Sequence, residues 1–181
     1  ITLTWFLGLG VLINLFVAII VALIAEFILL SLRDPSTSGQ YSGASIKSRL
    51  TDGSAIVTAS LIAVCLPPYL SIWLVAAGVL FAIIFGKHIY GGLGHNVFNP
   101  AMVGYVVVLI SFPIEMTTWV TPVSLLPEGI SHPGLFESLT IVFAGFSPLD
   151  GVTGATPLDL FKHSDGLLVD QIYQKNTLFS S

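Results

Sequence analysis

Hydrophobic residues along this chain form four runs that are separated by short polar stretches. The runs cover residues 5–32, 53–66, 69–86 and 97–112. A helix needs about 20 apolar residues to span a bilayer, and the first run exceeds that length. The second run has only 14 residues, which at about 1.5 Å per residue reach roughly two thirds of the hydrocarbon core. The pattern predicts an all-α polytopic membrane protein that contains one short helix.

The short run ends at a proline pair, Pro67 and Pro68. Short helices with such interruptions are typical of transporter-like folds built from inverted repeats, where discontinuous helices meet inside the membrane. Because the sequence opens at Ile1 within an apolar run, we expect a fragment that holds most of the first half of such a fold. Residues 1–112 are then the transmembrane region, and residues 113–181 form an extracytoplasmic loop.

Composition agrees with a membrane protein and excludes some other classes. Hydrophobic residues make up 54% and charged residues 9% of the chain, whereas soluble domains average about 25% charged residues. The net charge of −4 supplies no basic field for nucleic acid. The single cysteine, Cys65, excludes an intrachain disulfide framework. Its apolar neighbours predict that Cys65 is a small buried hydrophobic residue. The alternative is that Cys65 is a ligand to a cluster shared with a partner protein.

The distribution of charge predicts the orientation of the chain in the membrane. Four of the six basic residues lie within 33–52 and 87–96, whereas 113–161 holds five acidic residues and neither Lys nor Arg. The positive-inside rule therefore places the two basic stretches in the cytoplasm and 113–161 on the outer side. Within that outer loop, residues 135–146 are too short to span the bilayer, and they predict an interfacial helix.

The segment 150–157 of the outer loop has two interpretations. In the first, Thr156 is a helix N-cap, Pro157 takes the first helical position, and Asp159 completes a capping-box-like start. In the second, Thr156 is an acceptor for a covalent group. A threonine hydroxyl is not nucleophilic by itself, and no neighbouring His or Lys activates it, so another protein must catalyse any attachment.

The second interpretation rests on a motif. Asp150, Thr153, Gly154, Ala155 and Thr156 fill every fixed position of the flavinylation motif Asp-x-x-Ser/Thr-Gly-Ala-Thr. Flavin transferases use this motif to join FMN to the last threonine through a phosphodiester bond. The resemblance implies that Thr156 carries covalent FMN and that the other four residues form its recognition sequence.

Two further segments resemble one family. Residues 87–105, KHIYGGLGHNVFNPAMVGY, are similar to the glycine-rich junction of the RnfD component of the Rnf electron transport complex, and residues 52–68 are similar to the short helix of that component. The homologous NqrB component of the sodium-translocating NADH:quinone reductase shares the pattern. The resemblance covers nearly the whole chain.

This resemblance implies a role in the bacterial inner membrane. Such complexes pass electrons between ferredoxin or NADH carriers and translocate sodium ions or protons, and the RnfD component is catalytic only within the complex. Its partners are the other subunits, the lipid bilayer and the flavin transferase, which transfers FMN from FAD and releases AMP. The flavin loop would lie on the periplasmic side. Family members can also hold a second, noncovalent flavin such as riboflavin among their helices.

The remaining polar residues leave alternatives open. The glycines of 91–94 lack a dinucleotide-binding pattern, so they indicate either a close-packed junction or the lining of a flavin or ion site. Asn99 and Pro100 predict an N-cap and a first helical residue. Glu26 lies within an apolar run, so it is either part of an ion pathway or faces a partner protein or interfacial water. Asp52 is better explained as a helix cap than as a cation ligand, and the four histidines share no metal-ligand spacing.

A different class of function also fits the pattern. The short helix and the glycine-rich junction are compatible with a solute channel or transporter that holds no flavin. In that case Thr156 acts only as a helix cap. The two hypotheses are separated by whether the protein carries flavin.

Overall fold

The computed structural model describes residues 2–33, 50–90, 95–123 and 131–145, and the flavinylation motif at 150–157 lies outside these ranges. The described residues form helices and no β-strand, so the all-α prediction is confirmed. The elements are α1 (Thr2–Leu7), α2 (Gly10–Arg33), α3 (Ser54–Cys65), α4 (Ile72–Phe81), a π-helix that continues α4 (Ala82–His88), α5 (Pro100–Ser111), α6 (Pro113–Thr117) and α7 (Leu135–Ala144).

The first apolar run contains two helices rather than one. The break lies at Gly8, whose φ of 85° is in the left-handed region that favours glycine. A β-carbon at Gly8 would overlap with the Tyr69 hydroxyl, so the position also lacks space for a side chain. After the break, residues 10–32 form the one helix in the described ranges that is long and apolar enough to cross a membrane.

One face of α2 carries exposed apolar side chains. Phe16 is 68% exposed, and Ile24 and Phe27 are each 54% exposed. Such a face is costly in water, because each large apolar side chain gains about 1.5–3 kcal/mol when it is removed from water. Lipid or other membrane helices are therefore the natural environment of this face.

The short helix α3 runs antiparallel to α2. It has 12 residues, which correspond to about 18 Å, and it ends at Cys65, just before the proline pair. The Asn14 side chain of α2 donates a hydrogen bond to the carbonyl oxygen of Pro67 over 2.7 Å, so the end of α3 lies beside the first turns of α2. Cys65 itself is exposed, so the prediction that it is a buried hydrophobe is wrong.

Small residues form the interface between α2 and α3. Alanine side chains allow two helix backbones to approach closely, which is a common way to pack helices in membranes. The buried alanines are Ala18, Ala22 and Ala25 on α2 and Ala55, Ala59 and Ala63 on α3.

Glycines bring α4 and α5 into close contact. A β-carbon at Gly104 of α5 would overlap with the carbonyl oxygen of Gly78 on α4, and it would lie 2.7 Å from Cδ1 of Ile62. At the other end of the pair, a β-carbon at Gly86 would lie 2.6 Å from Cα of Pro100. The two helices are therefore antiparallel and in backbone contact along much of their length.

The amphipathic helix α7 packs against the helical bundle. Ser138, Ile141 and Val142 are buried on its inner face, whereas Phe136 is 84% exposed on the opposite face. The helix ends at Gly145, which adopts a φ of 65° as is common at helix C-termini. Its bounds are close to those of the interfacial helix that the sequence predicts at 135–146.

We predict that Gly104→Ala lowers the melting temperature of the protein in detergent. The added methyl group must displace the Gly78 backbone or the Ile62 side chain, and such overpacking typically costs about 1–3 kcal/mol. Gly134→Ala is the matched control, because no atom of the described residues lies within 4 Å of a β-carbon there and its φ is −65°. Equal melting temperatures for the two variants would contradict the close packing of α4 on α5.

Candidate functional site

An ion pair lies buried between α2 and the π-helix. Glu26 is 2% exposed and Lys87 is 4% exposed. The Lys87 ammonium nitrogen Nζ lies 2.7 Å from Oε1 of Glu26. The other carboxylate oxygen, Oε2, lies 3.0 Å from Nε2 of His88. Both oxygens of Glu26 are therefore occupied by nitrogen-bearing side chains.

Lys87 also connects this pair to the beginning of α3. Its ammonium group donates a second hydrogen bond, over 2.7 Å, to Oγ of Ser54. The Ser54 hydroxyl and backbone N–H both donate to Oδ1 of Asp52, over 2.6 Å and 2.8 Å. A continuous series of hydrogen bonds thus joins Glu26, Lys87, Ser54 and Asp52. We call these four residues, together with His88, the charged cluster.

The π-helix explains why two consecutive side chains reach the same carboxylate. Residues 82–88 are wound more widely than an α-helix, and the N–H of Ile89 donates to the carbonyl of Ile84, five residues earlier, over 3.0 Å. The wider turn reduces the angle between successive side chains, so Lys87 and His88 both point towards Glu26. Short π-helical segments within α-helices occur frequently at functional sites.

The charged cluster corrects two predictions. One alternative for Glu26 is contact with a partner protein or interfacial water, and instead the residue is buried and paired within the chain. The predicted cytoplasmic stretch 87–96 begins with Lys87, but this residue belongs to the helix that continues α4 and is buried. The predicted end of the third segment at Gly86 is therefore wrong, because the helix continues for two polar residues beyond the apolar run.

Asp52 and Asn99 both act at helix starts. Gly53 takes the N-cap position of α3, and Asp52 binds the first helical N–H from one residue further back. Asp52 therefore stabilises the start of α3, as the sequence predicts, although it lies one residue before the N-cap position. Asn99 is the N-cap of α5, since its Oδ1 accepts a hydrogen bond from the N–H of Ala101 over 3.0 Å, and Pro100 begins the helix. The prediction of Asn99 as N-cap and Pro100 as first helical residue is confirmed.

An open cavity of about 520 Å³ adjoins the charged cluster. This volume lies within the range of about 300–1,000 Å³ that is typical of small-molecule sites. Asp52 and Ser54 belong to both the cluster and the cavity wall. Its wall contains both polar and apolar side chains, which is the composition expected for a ligand with a polar edge and an apolar face. The lining residues are Asp52, Gly53, Ser54, Val57, Thr58, Leu61, Asn96, Asn99 and Pro100.

A second polar group lies at the opposite end of α2. The Asn14 side-chain oxygen, the Tyr69 hydroxyl and both ring nitrogens of His132 are buried without a hydrogen-bond partner in the part of the chain that the structure describes. The side chains of Tyr69 and His132 both approach Gly8. Burial lowers the pKa of His132 below its usual range, and the Phe6 backbone acts in the opposite direction to a smaller extent. The His132 ring is therefore neutral near pH 7.

The residues of the flavinylation motif are not among those that the structure describes. Asp150, Thr153, Gly154, Ala155 and Thr156 all follow Gly145, where the described part ends. Sequence reasoning, in turn, did not identify the pairing of Glu26 with Lys87 and His88. The sequence does contain a signal for this pairing. The carboxylate of Glu26 and the amine of Lys87 lie near the same end of two apolar runs, and pairing is favoured because an unpaired charge in lipid is costly.

We predict that Lys87→Met strongly destabilises the protein. It leaves Glu26 buried beside His88 alone, and breaking a buried ion pair typically costs about 3–5 kcal/mol. The double variant Glu26→Gln with Lys87→Met removes both charges and should recover most of this loss. Thermal unfolding of the wild type, both single variants and the double variant in detergent gives the coupling energy. If the losses of stability in the two single variants add up in the double variant, a direct ion pair is contradicted.

Comparison with known proteins gives a consistent result over the whole chain. Residues 1–180 match the model of the NQR2, RnfD, RnfE family. A protein of Cellvibrio japonicus is 44% identical over 179 residues, which cover 99% of this chain and 47% of the relative. A protein of Sodalis glossinidius is 46% identical over 171 residues (88% and 46%), and one of Escherichia coli K12 is 40% identical over 183 residues (94% and 49%). Each of the three is named as the D subunit of an ion-translocating oxidoreductase complex, and the chain spans about half the length of these relatives.

Proposed function

The chain belongs to the NQR2, RnfD, RnfE family, and we propose that it is the flavin-carrying part of a membrane subunit that couples electron transfer to sodium or proton translocation. The observation that carries this proposal is the charged cluster, whose Glu26 and Lys87 are buried between helices and which borders a cavity of flavin size. Intramembrane carboxylates are costly and are usually retained for ion or proton movement. The electron carriers are of the ferredoxin or NADH type, and the remaining subunits of the complex are the partners.

Glu26 is the cation-binding group in this proposal. Its carboxylate lies seven residues before the end of α2 at Arg33, about 10 Å along the helix. A sodium ion or a proton that enters from that end meets Glu26 before the alanine-lined interface of α2 and α3. Because Lys87 already neutralises Glu26, the cation can bind only when the hydrogen bond between the two groups is weakened.

The cavity is proposed to bind the noncovalent flavin, riboflavin. An isoalloxazine ring has two apolar faces and one edge of alternating hydrogen-bond donors and acceptors. Val57 and Leu61 provide apolar wall, and Thr58, Asn96 and Asn99 provide polar groups. The redox chemistry belongs to the flavin, and the role of the chain is to bind the ring, orient it and set its electrostatic surroundings.

Covalent FMN on Thr156 is the second part of the cofactor proposal. The motif at 150–157 supports it, and the expected partner is a flavin transferase that uses FAD. We further propose that residues 1–112 form the transmembrane region of one inverted repeat and that residues 113–181 lie on the periplasmic side of the bacterial inner membrane. The charge asymmetry between 33–52, which holds Arg33, Lys47 and Arg49, and 113–161 supports this orientation.

We predict that Thr156→Ala abolishes covalent flavin. The full-length protein is expressed with its flavin transferase and separated on a denaturing gel, and the band is viewed under ultraviolet light. The wild-type band should fluoresce and the variant band should be dark. Thr140→Ala is the control, because Thr140 is exposed on α7 and its hydroxyl only donates to the carbonyl of Phe136. A dark wild-type band would exclude attachment at this residue and favour the channel hypothesis, whereas a fluorescent Thr156→Ala band would place the covalent flavin at another residue.

We predict that Val57→Phe reduces the riboflavin content of the purified protein by tenfold or more. The larger side chain projects into the cavity from its apolar wall, where a ring would have to lie. Ile56→Phe is the matched control, because Ile56 is the preceding residue of α3, is also exposed and does not line the cavity. Riboflavin is released by denaturing the protein and measured by chromatography. Equal contents in the two variants would place the noncovalent flavin elsewhere or exclude it.

A further inference from the structure

We infer that Lys87 and Ser54 couple the two proposed sites, so that negative charge on a ligand in the cavity favours binding of a monovalent cation at Glu26. This inference rests on the proposed function, since it takes the cavity as a flavin site and Glu26 as a cation site. What it adds is the physical connection between them and the residues that make it.

The connection is a shared ammonium group. Lys87 Nζ lies 2.7 Å from Glu26 Oε1 and 2.7 Å from Ser54 Oγ, so it is held equally closely by the two sites. Ser54 forms part of the cavity wall, whereas Glu26 does not. Lys87 is therefore the only side chain in the charged cluster, among the described residues, that touches both the cavity wall and the buried carboxylate.

Electrostatics gives the direction of the coupling. A ligand that acquires negative charge in the cavity attracts the Lys87 ammonium towards Ser54 and away from Glu26. The interaction between unit charges is strong in such a site, because burial lowers the effective dielectric constant. When Lys87 moves, Glu26 loses part of its neutralisation, and a cation replaces the lost positive charge.

Ser54 is a positioning residue in this arrangement. Its hydroxyl accepts from Lys87 and donates to Asp52 over 2.6 Å, which fixes its orientation. Without the hydroxyl, Lys87 has no anchor on the cavity side and remains with Glu26. The coupling is then lost although Glu26 and Lys87 are both present.

Thermodynamic linkage makes the inference measurable. If charge in the cavity strengthens cation binding, the cation must strengthen binding of the charged ligand by the same factor. For a flavin, this means that the cation raises the midpoint potential, because the reduced form carries more negative charge than the oxidised form at alkaline pH. Coupling energies between sites usually correspond to about 5–150-fold, and a tenfold effect shifts a two-electron potential by about 30 mV.

The experiment uses the full-length protein with Thr156→Ala, so that riboflavin is the only flavin bound. Its midpoint potential is measured in sodium chloride and in choline chloride of equal ionic strength, and at two alkaline pH values with free riboflavin as the reference. We expect sodium or added protons to raise the potential of bound riboflavin beyond the change seen for free riboflavin, by an amount equivalent to about fivefold or more in affinity.

Three variants test the role of the hydroxyl. In Ser54→Ala the riboflavin that the variant retains should show no cation-dependent shift in potential, and in Ser54→Thr, which keeps a hydroxyl, the shift should persist. Ser60→Ala is the control on the same helix, since the Ser60 hydroxyl donates only to the carbonyl of Ile56. If Ser54 had a purely structural role, Ser54→Ala would lower riboflavin content or the melting temperature and leave the shift unchanged.

The outcomes separate this inference from the proposed function. Protein without the Ser54 substitution that binds riboflavin but shows no cation-dependent shift overturns the coupling alone. A full cation-dependent shift of the potential in Ser54→Ala also overturns the coupling alone. Protein that binds no riboflavin overturns the proposed cavity site and the coupling together.

Discussion

The cost of placing charge among apolar helices governs the organisation of this chain. Glu26 cannot remain ionised inside the membrane without a partner, and Lys87 has the same requirement. Their contact joins α2 to the π-helix that continues α4, across 61 positions of sequence. The hydrogen bonds to His88 and Ser54 then bring the π-helix and the beginning of α3 to the same depth.

The length of the short helix follows from this arrangement. Asn14 and Glu26 are 12 residues apart on α2, which corresponds to about 18 Å. The helix α3 begins at the level of Glu26, where Ser54 binds Lys87, and ends at the level of Asn14, which binds the Pro67 carbonyl. The 12 residues of α3 therefore span the distance from the contacts of Glu26 to the hydrogen bond of Asn14. The proline pair ends the helix at the level of Asn14.

Local signals predicted the elements well, because each depends on neighbouring residues. Asn99 and Pro100 begin a helix through their own side chains, and the proline pair ends one by removing backbone donors. The charged cluster depends instead on contacts between distant parts of the chain and on a π-helix, whose winding no residue type specifies. Hydropathy ended the third segment at Gly86, because the two residues that continue the helix are polar. It placed Cys65 in the core, because an average over neighbours does not tell which way a side chain points.

The winding of residues 82–88 has a mechanical consequence. An α-helix in this segment would place consecutive side chains further apart around the axis, and Glu26 would then face one of Lys87 and His88 rather than both. A local change in backbone pitch is therefore enough to add or remove a partner of the buried carboxylate. Gly86 lies in the same segment and packs against Pro100 with no space for a side chain, so the winding that sets the partners of Glu26 also sets the contact between the π-helix and α5.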